Sequence, residues 1–129
     1  MTQERRAFIR LPHDYTARVS GGGAAAEAQV IDLSVAGTSL STGLAQELRP
    51  GDSLEVVIAI GKDHSLSARL QVAWAGEDRV GGWWLEISSE DIATLRRILT
   101  VNLGDAELAE AEMARLVEIG PRGKSIPEN

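Results

Sequence analysis

Two short stretches of this chain carry side chains whose type and spacing suit recognition of an anion and a nucleobase. The first is Glu4-Arg5-Arg6-Ala7-Phe8-Ile9-Arg10-Leu11-Pro12, with three arginines close together. A guanidinium is a planar fork of donors that pairs bidentately with phosphate oxygens. The same fork fits the O6 and N7 edge of guanine. In extended backbone, residues four apart share a face, so Arg6 and Arg10 would point the same way. The second stretch is Val30-Ile31-Asp32-Leu33-Ser34-Val35-Ala36-Gly37-Thr38. Here Asp32 and Ser34 alternate with Ile31, Leu33 and Val35, so both are expected to leave one face of a strand. A carboxylate can accept the N1–H and N2–H of guanine as a pair, and a serine hydroxyl adds an adjustable partner. Gly37 allows a turn or a close backbone approach. Taken alone, the first stretch reads as a solubilising basic tail and the second as an Asx-type turn between strands.

Other chemistry finds no support. His13 and His64 lie far apart, one beside a proline and one at a turn. No HExxH, CxxC, GxSxG or GxxxxGK[ST] pattern occurs. Gly21-Gly22-Gly23 is followed by alanines and lacks the Lys-Ser/Thr of a phosphate loop, so it reads as a turn. The acids near the C-terminus are spaced like a solvated helix face. No catalytic residue, metal site or cofactor is expected.

The elements that must position these residues are mostly strands. Tyr15 to Val19, Glu27 to Leu33 and Thr38 to Thr42 read as the first three. Leu54, Val56, Ile58 and Ile60 alternate along a fourth. Leu66, Ala68, Leu70, Val72 and Trp74 are expected to share one face of a fifth, and Val80 to Ile87 forms the sixth. Glycine- and proline-bearing turns separate them. Six short strands at roughly ten-residue spacing point to an antiparallel sandwich or barrel, and a barrel leaves no sheet edge exposed. The pattern then changes. Ser88-Ser89-Glu90-Asp91 is a helix start, and Ile92, Leu95, Ile98 and Leu99 recur at helical spacing. Gly104 breaks this helix, and Asp105 caps a second that carries Leu108, Met113 and Leu116. From Gly120 the residues read as a loose, disordered tail.

The 129 residues, 43% hydrophobic and 25% charged, fit one globular domain. The longest apolar run, Leu54 to Ile60, is too short to span a bilayer and contains Glu55. No signal-peptide pattern follows the N-terminal basic pair. Cysteine is absent, which removes disulfides, thiolate metal sites and cysteine nucleophiles, and suits a cytoplasmic protein. The net charge of −6 argues against a nucleic-acid polymer as partner. A single-stranded nucleic-acid barrel would also need aromatics on a basic groove. The charge is uneven, however. Residues 1–10 hold three arginines against one acid, whereas residues 86–119 hold eight acids against three arginines.

Taken together, Arg6-x-x-x-Arg10 and then Asp32-x-Ser34-x-x-Gly37, separated by one strand, resemble the PilZ domain family. That family's signature is RxxxR followed by D/N-x-S-x-x-G. The resemblance extends over roughly residues 4 to 100. Gly81-Gly82-Trp83-Trp84 looks like the family's late strand, with Trp84 in place of the more usual Phe, and Ser88 to Leu99 matches its closing helix. The resemblance implies a mostly β fold, a six-stranded antiparallel barrel with C-terminal α-helices. Residues 1–12 would be a flexible arm carrying RxxxR, 13–101 the barrel and closing helix, 102–119 an additional helix, and 120–129 the tail. It further implies a non-enzymatic receptor for cyclic di-GMP. Arg6 and Arg10 would clamp phosphates and guanine edges, Asp32 and Ser34 would hold a guanine, and Gly37 would leave room for it. Arg5 resembles arginines that accommodate two stacked dinucleotides. The arm would fold over the ligand and signal to a protein partner, and the last helix could pair with a copy of itself. The alternative is an adaptor of the same fold that works through partners without the nucleotide.

Overall fold

The computed structural model describes residues 11–12 and 15–119. Seven strands are present among them: β1 (Leu11–Pro12), β2 (Thr16–Gly21), β3 (Ala24–Leu33), β4 (Gly37–Thr42), β5 (Ser53–Ala59), β6 (Ser65–Ala75) and β7 (Arg79–Ile87). A 3₁₀ turn, Gly43–Glu47, follows β4, and two helices close the chain, α1 (Ser89–Leu103) and α2 (Ala106–Ile119). Every strand pairing is antiparallel. The order β3-β2-β5-β6-β7-β4 returns to β3 through a β3–β4 pairing, so six strands form a closed barrel. This is the expected architecture. Closure leaves no unpaired ladder edge, which is the physical advantage of a barrel for a small sheet.

The short β1 is additional. It pairs with β3 through Leu11 opposite Leu33 and Pro12 opposite Asp32. The β2 pairing runs along the same edge of β3 and ends at Thr16 opposite Gln29. Between the two, the Val30 N–H donates to the Tyr15 carbonyl at 2.8 Å. Leu11 and Pro12, the last two residues of the expected arm, are therefore sheet residues. Its remaining ten residues lie outside those described, as do residues 120–129 of the expected tail.

Alternation decides what lies inside. In β5 the residues are buried and exposed in strict turn, with Leu54, Val56 and Ile58 within. Val19, Val30, Leu33, Leu40, Leu66, Leu70, Val72, Val80 and Trp84 complete the interior. Burying side chains of this size stabilises by about 1.5–3 kcal/mol each before ordering entropy is subtracted. Trp74 departs from the expected pattern. Leu66, Ala68, Leu70 and Val72 do share the inner face, but the β6–β7 register shifts between Val72 and Trp74. One extra residue reverses the side-chain alternation. Trp74 therefore faces outward and is 45% exposed.

The helices begin where their caps require. The Asp91 N–H donates to Ser88 Oγ at 3.1 Å, and Glu90 and Asp91 place negative charge in the first turn of α1. Leu95 and Ile98 join the barrel core beside Tyr15, Ile60 and Ile87, so α1 plugs the end where β5 stops and β6 begins. Asp105 Oδ1 accepts from the amides of Glu107 and Leu108 at 2.9 and 3.2 Å, capping α2. The inward face of α2 differs from expectation. Ala109 and Met113, four residues apart, are buried, whereas Leu108 is exposed. No helix among the described residues is long and apolar enough to cross a membrane.

Candidate functional site

Asp32 reaches the outside of the barrel because of a bulge. From Val30, which is buried, simple alternation would turn Asp32 inward. The β3–β4 register shifts between these two residues: Val30 opposes Leu40, and Asp32 opposes Ser39. Ile31 is the extra residue. The bulge keeps both Val30 and Leu33 in the core while turning the carboxylate out, where Asp32 is half-buried. The Ser39 hydroxyl donates to Asp32 Oδ1 at 2.9 Å, and the Thr38 hydroxyl donates to the Asp32 carbonyl at 2.7 Å. Together they fix both the side chain and the backbone of Asp32. Ser39, which the sequence reading did not single out, thus joins Asp32 in the candidate site. Its position on β4 becomes meaningful only once the register is known.

Ser34 has a different role from the one expected of a free hydroxyl. It is only 4% exposed. Its Oγ accepts from the amides of Ala36 and Gly37 at 3.1 and 3.2 Å and donates to the Gly37 carbonyl at 3.4 Å. The Ser34 N–H donates to the same carbonyl at 2.9 Å. A hydroxyl has one proton and two lone pairs, and the β3–β4 turn occupies all three. The turn reading of this segment is thus realised by Ser34, while Asp32 stays on the surface.

The tip of that turn is apolar and covered. Val35 and Ala36 pack with Leu99, Ala109 and Met113, flanked by Trp83, Ile92 and Leu103, in a second small core outside the barrel. The Trp84 N–H also donates to the Ala36 carbonyl at 2.8 Å. Both helices therefore rest on the loop that follows Asp32. Gly37 makes the close backbone approach that its type allowed. A Cβ there would lie 2.0 Å from the Gly82 carbonyl oxygen and 2.9 Å from Trp83 Cα. The β4–β7 seam alone requires glycine at this position.

Across the outer face, directly opposed residues form one row. Pro12 of β1 opposes Asp32, Asp32 opposes Ser39, Ser39 opposes Gly81 of β7, and Gly81 opposes Trp74 of β6. Opposed residues in an antiparallel ladder project to the same side. The root of the N-terminal arm thus sits beside Asp32. Arg5, Arg6 and Arg10 themselves lie outside the described residues. Of the two histidines, His13 is outside them as well, and His64 Nε2 shares a hydrogen bond of 3.2 Å with Thr94 Oγ1. His64 and Thr94 line a cavity of about 390 Å³ between α1 and the barrel end, away from Asp32. No group of three potential metal ligands occurs among the described residues.

A model of the PilZ domain matches residues 4–100 of this chain. The chain belongs to the PilZ domain family. Solved structures agree in fold. This PilZ domain is similar to the inhibitor of motility MotI/DgrA of Bacillus subtilis, with a TM-score of 0.62 at 17% identity, over 74% of this chain and 52% of that one. It therefore spans about half the length of the Bacillus protein. It is also similar to the PilZ domain of CeSA from a cellulose synthesizing bacterium, with a TM-score of 0.59 at 16% identity, over 70% and 93% of the two chains. The PilZ domain of YcgR from Escherichia coli, solved with c-di-GMP, matches with a TM-score of 0.60 at 18% identity, over 73% and 88%.

Proposed function

We propose that this PilZ domain is a non-enzymatic receptor for cyclic di-GMP that passes its signal to a protein partner. The pairing of Pro12 with Asp32 carries the reading. It roots the RxxxR arm beside the carboxylate of the second motif, although the two lie some twenty residues apart in sequence. In this reading Asp32 accepts the N1–H and N2–H of a guanine, while Arg6 and Arg10 supply charge-assisted bonds to phosphates and guanine edges. Ser34 and Gly37 act on the ligand indirectly. Ser34 braces the turn that presents Asp32, and Gly37 lets β4 close on β7 behind it. Arg5 would help admit a second, stacked dinucleotide. Before Leu11 the arm has little apolar surface beyond Phe8 and Ile9. Ordering it costs roughly 1–2 kcal/mol of backbone entropy per residue, so the ligand must supply the offsetting contacts.

Calorimetric titration of the purified chain is the test. Cyclic di-GMP should bind at about micromolar strength, a net near −8 kcal/mol. Cyclic di-AMP should bind far more weakly, because adenine presents N6–H₂ where guanine presents O6, and an arginine fork then meets a donor. A stoichiometry of about two per protomer, falling toward one in Arg5→Ala, would support the stacked pair. Absence of binding to either dinucleotide would leave the adaptor that works without the nucleotide.

A further inference from the structure

We propose that the cavity between α1 and the barrel end is a second binding site, which takes a small amphipathic carboxylate; the inference stands independently of the dinucleotide reading. At about 390 Å³ the cavity falls within the range of small-molecule pockets, which are mostly apolar with a few convergent polar groups. Three separate parts of the chain build it. Tyr15 leads into β2, Ile60 and His64 are the two ends of the β5–β6 turn, and Ile98 and Val101 lie one turn apart on α1. Bounded by a turn on one side and a helix on the other, it admits a single aliphatic chain or ring.

Hydrogen bonds hold this frame in place. The Ile60 and Gly61 N–H groups donate to the His64 carbonyl at 3.0 and 3.2 Å, closing the turn. Thr94 is the most buried of the lining residues, at 4% exposed. Its hydroxyl donates to the Glu90 carbonyl at 3.2 Å. A hydroxyl has one proton, so Thr94 Oγ1 accepts in its 3.2 Å contact with His64, whose proton then sits on Nε2. The imidazole is thereby tied to α1. The Asn102 side-chain amide donates to the Ile98 carbonyl at 2.8 Å and is fixed against the same helix.

Charge selects the class of ligand. The chain holds 19 acidic residues and a net charge of −6, yet none of the eight residues lining the cavity is acidic. Arg97 supplies the positive charge there. Arg18, Arg69 and Arg96 each form an ion pair, whereas Arg97 forms none among the described residues. A guanidinium beside an apolar wall suits a carboxylate whose apolar body continues inward. An ammonium would meet Arg97 with like charge, and an alcohol would forgo the charge-assisted bond. Val101, at the cavity's border, is 73% exposed, more than any other large apolar residue described. A seated ligand would take that surface out of water.

The experiment is residue-resolved NMR titration of the full chain with octanoate, octylamine and octanol, each kept below its aggregation limit. Octanoate should shift the amides of residues 60–64 and 94–102 saturably. It should bind about tenfold or more tighter than octanol or octylamine, the worth of one charge-assisted bond. Arg97→Glu, at an exposed position, should weaken octanoate by about tenfold or more and favour octylamine instead. Val101→Trp, also at an exposed position, should block the mouth and abolish octanoate binding with the thermal midpoint held. Scattered or unsaturable shifts would overturn the assignment. So would equal binding of the three probes, octanoate affinity unchanged in Arg97→Glu, or native affinity in Val101→Trp. If Val101→Trp loses thermal stability, the charge reversal at Arg97 decides alone. Failure of the native chain to bind cyclic di-GMP would end the receptor reading and leave this one standing.

Discussion

The two faces of the β3–β4–β7–β6 wall follow different rules. Inward, Val30, Leu33, Leu40, Val80, Trp84, Leu70 and Val72 form a continuous apolar lining, each nearly or fully buried. Outward, the same strands carry Asp32, Ser39, Gly81 and Trp74 in one row, with Trp83 alongside beneath the helices. The inside is governed by period-two alternation, which any barrel of this size must satisfy. The outside is governed by two departures from it. A barrel can relinquish alternation at a bulge only where the inner face stays filled, and here it does, because Val30 with Leu33 and Val72 with Leu70 remain inside. On the proposed reading the wall separates stability from recognition by side, and substitutions on its two faces should behave differently.

The largest effect is expected inside. Leu70→Ala should lower unfolding stability by about 2–5 kcal/mol through lost burial and a residual cavity. Urea denaturation would measure it, and a cost below about 1 kcal/mol would mean that the interior is not close-packed there.

Gly37 tests where the division runs. Gly37→Ala should destabilise the ligand-free protein by about 1–3 kcal/mol, since the added methyl meets the β7 backbone. If stability held while affinity for cyclic di-GMP fell, this glycine would belong to the ligand and not to the seam.

On the outer face the ranking should invert. Asp32→Ala removes the acceptor of the Ser39 hydrogen bond, a net cost of about 0.5–1.5 kcal/mol to folding. The same change should weaken cyclic di-GMP binding at least tenfold, as should Arg6→Ala or Arg10→Ala. Paired denaturation and calorimetry would show whether stability and affinity separate in this way; full affinity in Arg10→Ala would remove the clamp from the proposal.

The smallest effect is expected at Trp84. Its Nε1 is buried without a hydrogen-bond partner. Trp84→Phe trades lost burial against relief of that unsatisfied donor, worth about 1–3 kcal/mol. The two nearly cancel, and the thermal midpoint should move by only a few degrees.

The location of protection in hydrogen exchange would sharpen the contrast further. With cyclic di-GMP, slowing should concentrate in residues 4–12 and 32–37, while the strands from Leu54 to Ile87 change little. Strong protection of the arm in the free protein would move the switch elsewhere.

The six barrel strands, most of their inner faces and the start of α1 were legible because they rest on local physics. Val56 and Ile58 face inward for the reason that alternating residues of any strand share a face, and Ser88 caps α1 through an amide three residues away. The ordered pair of motifs was likewise readable along the chain. What the sequence could not state was where alternation is broken, because a bulge is a property of two strands and not of one. Trp74 looked like a continuation of Leu70 and Val72, and only its pairing with Gly81 on β7 puts it outside. Ser34 was expected to hold a guanine with Asp32, and Gly37 to leave room for it. Their tertiary neighbours, the turn amides and the Gly82 carbonyl, show that they also hold the β3–β4 turn and the β4–β7 seam. Local periodicity sets which face a residue prefers, and contacts between distant strands set which residues are permitted to leave it.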